Sequence, residues 1–337
     1  MINRGARRPS PQSPTLSVVM IGAGWISGYH LAALDRLGRT RLVGLASGHL
    51  AAAGAAAGPR GAAAYQGNDV ERMLDEKRPD AAIVAVPPWA AVGVLEQLVA
   101  RDIPFLTEKP LAAADAAAPA RLAAQVAAHG LVAAAGYHLR GLPVVAELRA
   151  EFAVHPPHLV TARWLGDTPR PAWWRTAATG GGQVVEQATH FYDLARHLLG
   201  EATVIAATAT RGQPAAPDGV DLADATAALL TFDNGAIGSF ANSRRLASAV
   251  VEIEFACSNA LFRLRKLPEA QTAWELVRDD DGAVRTASAG RDPYEVQAEA
   301  FLDAVEARDP GRVLSSYADA LLTDRLTRAV VAAAHGA

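Results

Sequence analysis

From residue 16 to residue 135, short apolar runs alternate with stretches whose apolar residues recur every three or four positions. Strands buried on both faces and helices packed against them produce that alternation, so it predicts βαβ units around a parallel sheet. Five runs read as strands, at Leu16–Ile21, 41–46, 81–86, 104–107 and 131–135, and segments 90–100 and 115–128 carry the helical period. The alanine-rich stretch 51–64 blurs the third unit, because alanine favours helix without marking a buried face. After about Gly136 the pattern changes. Longer alternating runs at 158–164, Ala202–Thr210, 226–232, 236–242 and 250–255 are separated by turn signals. Asp233-Asn234-Gly235 reads as a hairpin turn, since Asn and Gly tolerate positive φ. A mostly antiparallel, open sheet follows, interrupted by helical stretches at 183–199, 294–307 and 315–334. Because the pattern assigns no helix layer to this sheet's apolar face, a homodimer or homotetramer through it is expected.

The chain of 337 residues is long enough for two cores, and its half-hydrophobic, one-fifth charged composition is that of a globular protein. Residues 1–15, with no apolar run before Leu16, read as a disordered, arginine- and proline-bearing arm, the alternative being a processed export signal. With 32 basic against 35 acidic residues and no basic run, nucleic acid is not an expected partner. The longest apolar stretch, 81–95, is broken by Pro87 and Pro88 and is shorter than the ~20 residues of a membrane helix, so no membrane partner is expected. The single cysteine, Cys257, excludes an intrachain disulfide and a cysteine zinc cluster, and fits a reducing cytoplasm.

Candidate chemistry begins where the first strand runs into Gly22-Ala23-Gly24-Trp25-Ile26-Ser27, a variant of the dinucleotide fingerprint at the head of a helix. Gly22 allows the tight turn, Gly24 lets a pyrophosphate approach the backbone, and the helix N-terminus supplies N–H groups. The acid that would bond a ribose 2′-OH some 20 residues on is replaced by Ser47, which removes its repulsion of a 2′-phosphate and inclines the expectation from NAD toward NADP. A later strand ends in Glu108-Lys109-Pro110, placing a cation at the edge where open α/β sheets bind ligands. In the second half, Gly180-Gly181-Gly182-Gln183-Val184-Val185-Glu186-Gln187-Ala188-Thr189-His190-Phe191-Tyr192-Asp193 puts Glu186, His190 and Asp193 on one helical face. That stripe reads as an acid–base set or as a helix-stabilising pair; a metal site is not expected, because no second histidine-rich element accompanies it.

Taken together, these residues resemble the glucose-fructose oxidoreductase and inositol dehydrogenase family, Gfo/Idh/MocA. The likeness runs from Leu16 onward through GAGWIS with His30 in its helix, VPP at 86–88, TEKP at 107–110, GYHLR at 136–140 and GGGQVVEQATHFYDLARHLLG at 180–200. It implies an α/β chain with an N-terminal Rossmann domain at 16–135 and a C-terminal substrate-binding and oligomerisation domain at 136–337. The implied activity is NAD(P)-dependent oxidation or reduction of a sugar, polyol or related small molecule. By position, Lys109 matches the family's active-site lysine, His190 its catalytic histidine, and Glu186 its acid, which is commonly Asp. Glu108 resembles the residue that meets the nicotinamide ribose, and Pro110 stands where the family often has a cis peptide. The expected cofactor set is Gly22, Gly24, Trp25, Ile26, Ser47, Pro87, Glu108 and Lys109.

In this reading His190 is the base, Lys109 steadies the alkoxide, and Glu186 orients the imidazole one turn away; Tyr137 and His138 are the next candidates for the base. Arg140, Trp173, Trp174, Arg175 and Asp193 are expected to line a pocket for a hydroxyl-rich ligand, since indole faces stack on sugar C–H surfaces and guanidinium groups donate hydrogen bonds. A cofactor-binding regulator without turnover, or an NAD-dependent glycoside-cleaving enzyme, would use the same fold.

Overall fold

The computed structural model describes residues 15–113, 115–210, 220–288 and 290–336, so the N-terminal arm, apart from Thr15, lies outside the described residues. Strands β1 (Leu16–Ile21), β2 (Thr40–Ser47), β3 (Ala63–Gln66), β4 (Ala81–Val84), β5 (Phe105–Thr107) and β6 (Ala133–Ala135) form a parallel sheet in the order β3-β2-β1-β4-β5-β6. Helices α1 (Trp25–Leu37), α2 (Leu50–Ala57), α3 (Val70–Lys77), α4 (Pro88–Val99) and α5 (Ala118–His129) cover it. Val18, Val19 and Met20 are fully buried in succession, as a central strand covered on both faces requires. The alanine-rich stretch resolves into α2 and β3, a strand the pattern did not mark. The strand read over 81–86 stops at Val84, where Pro87 and Pro88 turn the chain into α4. The strand order reverses between β1 and β4, the crevice where open α/β sheets take their ligands.

The second half contains α6 (Pro143–Val154), β7 (Leu159–Asp167), the one-turn α7 (Ala177–Gly180), α8 (Thr189–Leu199), β8 (Ala202–Thr210), β9 (Ala225–Phe232), β10 (Ile237–Ser243), β11 (Arg245–Ala256), β12 (Leu261–Lys266), β13 (Trp274–Asp280), β14 (Ala283–Ser288), α9 (Pro293–Ala307) and α10 (Tyr317–His335). Its eight strands run β14-β13-β12-β11-β7-β10-β9-β8; β7 and β10 are parallel and the other pairs antiparallel. Gly235 takes φ 86° in the turn between β9 and β10, where the hairpin was expected.

The uncovered apolar face needs correction. Phe191, Tyr192, Leu194 and Ala195 of α8, with Val144, Leu148 and Phe152 of α6 and Leu326 and Val330 of α10, form one core with Val160, Ala162, Leu230, Phe240, Ile253, Phe255 and Leu264 of the sheet. Helices therefore cover the inner face. On the outer face, Arg163–Glu252, Arg263–Glu254 and Arg265–Glu275 pair across β7, β11, β12 and β13, while Ile205, Leu229 and Ile237 stand exposed on β8, β9 and β10.

The chain then returns to the first half. Tyr294, Ala298, Phe301 and Leu302 of α9 are buried with Val18, Met20, Leu31 and Leu34, and Arg36 in the last turn of α1 and Arg39 just beyond it pair with Asp292, Glu295, Asp303 and Glu306. The start of α10 sends Tyr317, Ala320 and Leu321 into the other face of the parallel sheet, and Ala135 donates to the Ser315 carbonyl.

Candidate active site

The fingerprint loop leaves β1 at the strand-order reversal. Gly22 holds φ 116°, and a Cβ there would lie 2.1 Å from the Ala85 carbonyl oxygen, so the position serves the approach of two backbones. A Cβ built on Gly24 meets no atom within 4 Å. The fingerprint's second glycine thus faces open space in front of the α1 N-terminus, as a pyrophosphate cradle requires. Trp25 and Trp89 stand 65% and 61% exposed beside this crevice, with Ile26, Ser47 and Pro87 half-buried around it.

At the end of β5, Glu108 is buried and bonded to His30 Nε2 at 2.7 Å. Burial pushes its carboxyl up, but the His30 bond and charge, with the charges of Lys109 and His138, hold it below the ordinary range. A Cβ on Gly136 would fall 2.8 Å from the Glu108 carboxylate, which explains the glycine opening GYHLR. The Lys109–Pro110 peptide is cis. Lys109 Nζ reaches across to the second half, donating at 2.8 Å to Glu186 Oε1 and at 2.6 Å to the Glu186 carbonyl oxygen.

Glu186 lies in one turn of π-helix, Val184–Ala188, that joins the glycines to α8. Gly181 and Gly182, at φ 76° and 83°, set the entry to that turn. Its second oxygen, Oε2, is buried without a partner, and burial pushes the carboxyl up to about 7 against the pull of Lys109. This corrects one expectation, because Glu186 orients the lysine and not the imidazole. His190 packs instead against His138, with ring centroids 4.4 Å apart, against Tyr137, and parallel to Trp164 at 5.9 Å. Burial, then the charges of His138 and Lys109, put its pKa well below the ordinary histidine value, and its Nδ1 has no partner. His138 stacks on Tyr294 of α9 at 4.6 Å. Lys109, Glu186, His190, His138 and Tyr137 are thus gathered at the C-terminal edge of the parallel sheet.

A family model described as "Oxidoreductase family, NAD-binding Rossmann fold" matches residues 16–137, and one described as "GFO/IDH/MocA C-terminal domain" matches residues 145–263. The chain belongs to the Gfo/Idh/MocA family. It is therefore an oxidoreductase with an NAD-binding domain. The rhizopine catabolism protein MocA of Rhizobium meliloti is 27% identical over 255 residues, covering 74% of this chain and 75% of that protein. Two solved structures share the fold over almost their whole length. Levoglucosan dehydrogenase in complex with NADH and levoglucosan has TM-score 0.81 at 20% identity, covering 95% of this chain and 97% of that one. A putative myo-inositol dehydrogenase from Sinorhizobium meliloti has TM-score 0.78 at 22% identity, covering 96% and 98%.

In this Gfo/Idh/MocA chain two residues expected in the substrate pocket are engaged elsewhere. Arg140 Nε and Nη2 donate to Asp193 Oδ2 and Oδ1 at 2.7 and 2.6 Å, and both side chains are buried. Thr323 donates to the same carboxylate and Asp319 pairs with the same guanidinium, so the stripe's third member holds α8 to the start of α10. Trp174 and Arg175 are half-buried on the turn before α7, with Trp173 and Trp174 rings 5.0 Å apart. Sequence reasoning missed Trp164 and Tyr294. Each sits in an unremarkable strand or helix pattern and reaches His190 or His138 only through sheet register and the return of α9.

Proposed function

We propose that the chain is an NAD(P)-dependent dehydrogenase acting on a secondary alcohol of a sugar, polyol or related small molecule, or reducing its carbonyl partner. The observation that carries this reading is the Lys109–Glu186 pair beside a buried, unpaired His190, at the edge of the Rossmann sheet. Gly24, with open space where its side chain would be, supports cofactor binding at that edge. Gly22, Gly24 and the α1 N-terminus would hold NAD(P)+, which would supply the acceptor for the hydride of the carbinol carbon. As the carbonyl forms, the hydroxyl proton passes to His190, whose low pKa keeps it neutral and able to accept near neutrality. Lys109 uses two of its three N–H donors on Glu186 and has the third for the substrate oxygen, where its charge stabilises the developing alkoxide.

Ser47, which brings no carboxylate to the end of β2, supports acceptance of a 2′-phosphate and thus a lean toward NADP. The exposed Ile205, Leu229 and Ile237 support a homodimer or homotetramer through the outer sheet face, and light scattering at micromolar concentration that returned a monomer would overturn it. No helix among the described residues is long and apolar enough to cross a membrane, and the lone buried Cys257 suits a reducing cytoplasm. The deciding experiment supplies NAD+ and NADP+ in turn with a panel of polyols and aldoses and follows absorbance of the reduced nicotinamide. Turnover supports the dehydrogenase; measured cofactor affinity with silence across the panel favours a regulator, and sugar release without net reduction favours glycoside cleavage.

A further inference from the structure

The inner face of the second sheet carries a row of side chains at the end nearest His190. Asn242 of β10 pairs in register with Trp164 of β7, Trp164 with Val251 of β11, and Lys266 of β12 with Trp274 of β13; Glu252↔Arg265 brings Val251 beside Lys266. Alternation puts Lys266 on the same face as Phe262 and Leu264, which are buried in the core beneath α8. Lys266 is half-buried, and none of the described residues gives it an ion pair or hydrogen bond. Burial lowers its pKa with no carboxylate offsetting the effect. Its ammonium keeps contact with solvent and has no carboxylate among the described residues to neutralise it, so an anion can reach it and would find its charge unshared.

Two further observations point the same way. Trp274, 3% exposed and directly opposite Lys266, buries its Nε1 without a partner. The Lys266 charge is also felt at His138, where burial, Lys109, His30 and Lys266 together outweigh Glu108 and lower the pKa to about 4. The register row puts Lys266 on the same sheet face as Trp164, whose ring lies parallel to that of His190. Lys266 lies two strands from Trp164, or about 10 Å at ~4.8 Å per strand.

We infer that Lys266, with the indole N–H of Trp274, is the specificity site for a carboxylate on the substrate, so that the enzyme acts on a polyhydroxylated acid of the aldonate or uronate class. One ammonium and one N–H match the two oxygens and single charge of a carboxylate; a phosphate dianion would leave charge and acceptors unmet. The inference rests on the dehydrogenase reading for its reaction but not for its binding.

The test measures both. Calorimetry on the protein saturated with NADH or NADPH, whichever it binds more tightly, compares D-gluconate with D-sorbitol, its neutral counterpart, and with D-glucose 6-phosphate. Gluconate is expected to bind at least about tenfold more tightly than sorbitol, the scale of a hydrogen-bonded charge. Lys266→Met should bring that ratio close to one, Lys266→Arg should restore part of it, and Trp274→Phe should reduce it about threefold to tenfold with the packing kept. Equal binding of gluconate and sorbitol, binding of neither, tighter binding of the phosphate, or a ratio unchanged in Lys266→Met each overturns the assignment. With NAD(P)+, the acid should also show the higher kcat/KM. Lys266-dependent gluconate binding without turnover of any acid or polyol would refute the dehydrogenase and leave the carboxylate site standing.

Discussion

Lys109 Nζ donates to both the carboxylate and the backbone carbonyl of Glu186, so one ammonium joins the end of the parallel sheet to the π-turn of the second half. The carboxylate that holds it is itself hard to ionise, because burial pushes Glu186 up to about 7. With Glu186 ionised, Lys109 is fixed; with Glu186 protonated, the ion pair is lost. Alcohol oxidation should therefore gain kcat/KM as pH rises through about 7. The limb belongs to Glu186, since His190, held well below the ordinary histidine value, is already neutral there. In Glu186→Gln the limb near 7 should disappear along with part of the rate. A profile that keeps this limb in the variant would assign it to another group.

His190→Ala and Lys109→Met should each lower turnover by roughly 10² to 10⁴, the range typical of a positioned acid–base group, with little change in cofactor affinity. Because both act on the same oxygen, the double variant should lose less than the product of the single losses. Near wild-type turnover in His190→Ala would move the base elsewhere, with Tyr137 and His138 next to test. Tyr137 is the weaker of these, since burial and the Asp193 charge raise its pKa far above the ordinary tyrosine value.

The parallel sheet, the fingerprint turn and the glycine-to-histidine segment were legible because each is local. A buried strand, a positive-φ turn and a helical stripe write their requirements into consecutive residues. The meaning of the stripe was not. Spacing put Glu186, His190 and Asp193 on one face, but the π-turn and the packing of α8 gave them different partners: Lys109, His138 and Arg140. Strands β12 to β14 escaped for another reason. The outer positions of β12 and β13 carry Arg263, Arg265 and Glu275, which in sequence read as solvated surface and in the fold form the cross-strand pairs Arg263–Glu254 and Arg265–Glu275, and β14 is exposed along its whole length. The return of α9 onto the first sheet depends on Tyr294, Phe301 and Leu302 meeting β1 and α1, a pairing no window of sequence contains.

The two fingerprint glycines should fail differently. At Gly22 a side chain would strike the Ala85 carbonyl at 2.1 Å in a positive-φ backbone, so Gly22→Ala should lower the melting temperature and the yield of folded protein. At Gly24 the space is open, so Gly24→Val should fold normally and lose nicotinamide affinity by filling the pyrophosphate's place. Thermal melts paired with cofactor titration by tryptophan fluorescence, using the exposed Trp25 and Trp89, would separate the two; unchanged affinity in folded Gly24→Val would refute the cradle.

Ser47→Asp should shift cofactor preference toward NAD, by adding an acceptor for the 2′-OH and repelling a 2′-phosphate. The measurement is the ratio of kcat/KM values for NADP+ and NAD+ in the wild type and the variant. A wild type that already strongly favours NAD+ would remove the basis for the lean toward NADP.

The Arg140–Asp193 pair separates a substrate contact from a structural one. A buried bidentate pair broken on one side leaves a charge without its counter-ion, which typically costs about 3–5 kcal/mol. Here Asp319 still faces Arg140, and Thr323 still reaches the position of Asp193, so the loss should sit toward the lower end. Asp193→Asn should thus lower the denaturant midpoint by an amount equivalent to about 3 kcal/mol, while KM for the substrate changes little in the protein that remains folded. Replacing both partners, Arg140→Met with Asp193→Leu, should recover part of that loss, because no unpaired charge is left in the interior. The opposite pattern, an unchanged midpoint with a KM raised tenfold or more, would return Arg140 and Asp193 to the substrate pocket, where the sequence alone had put them.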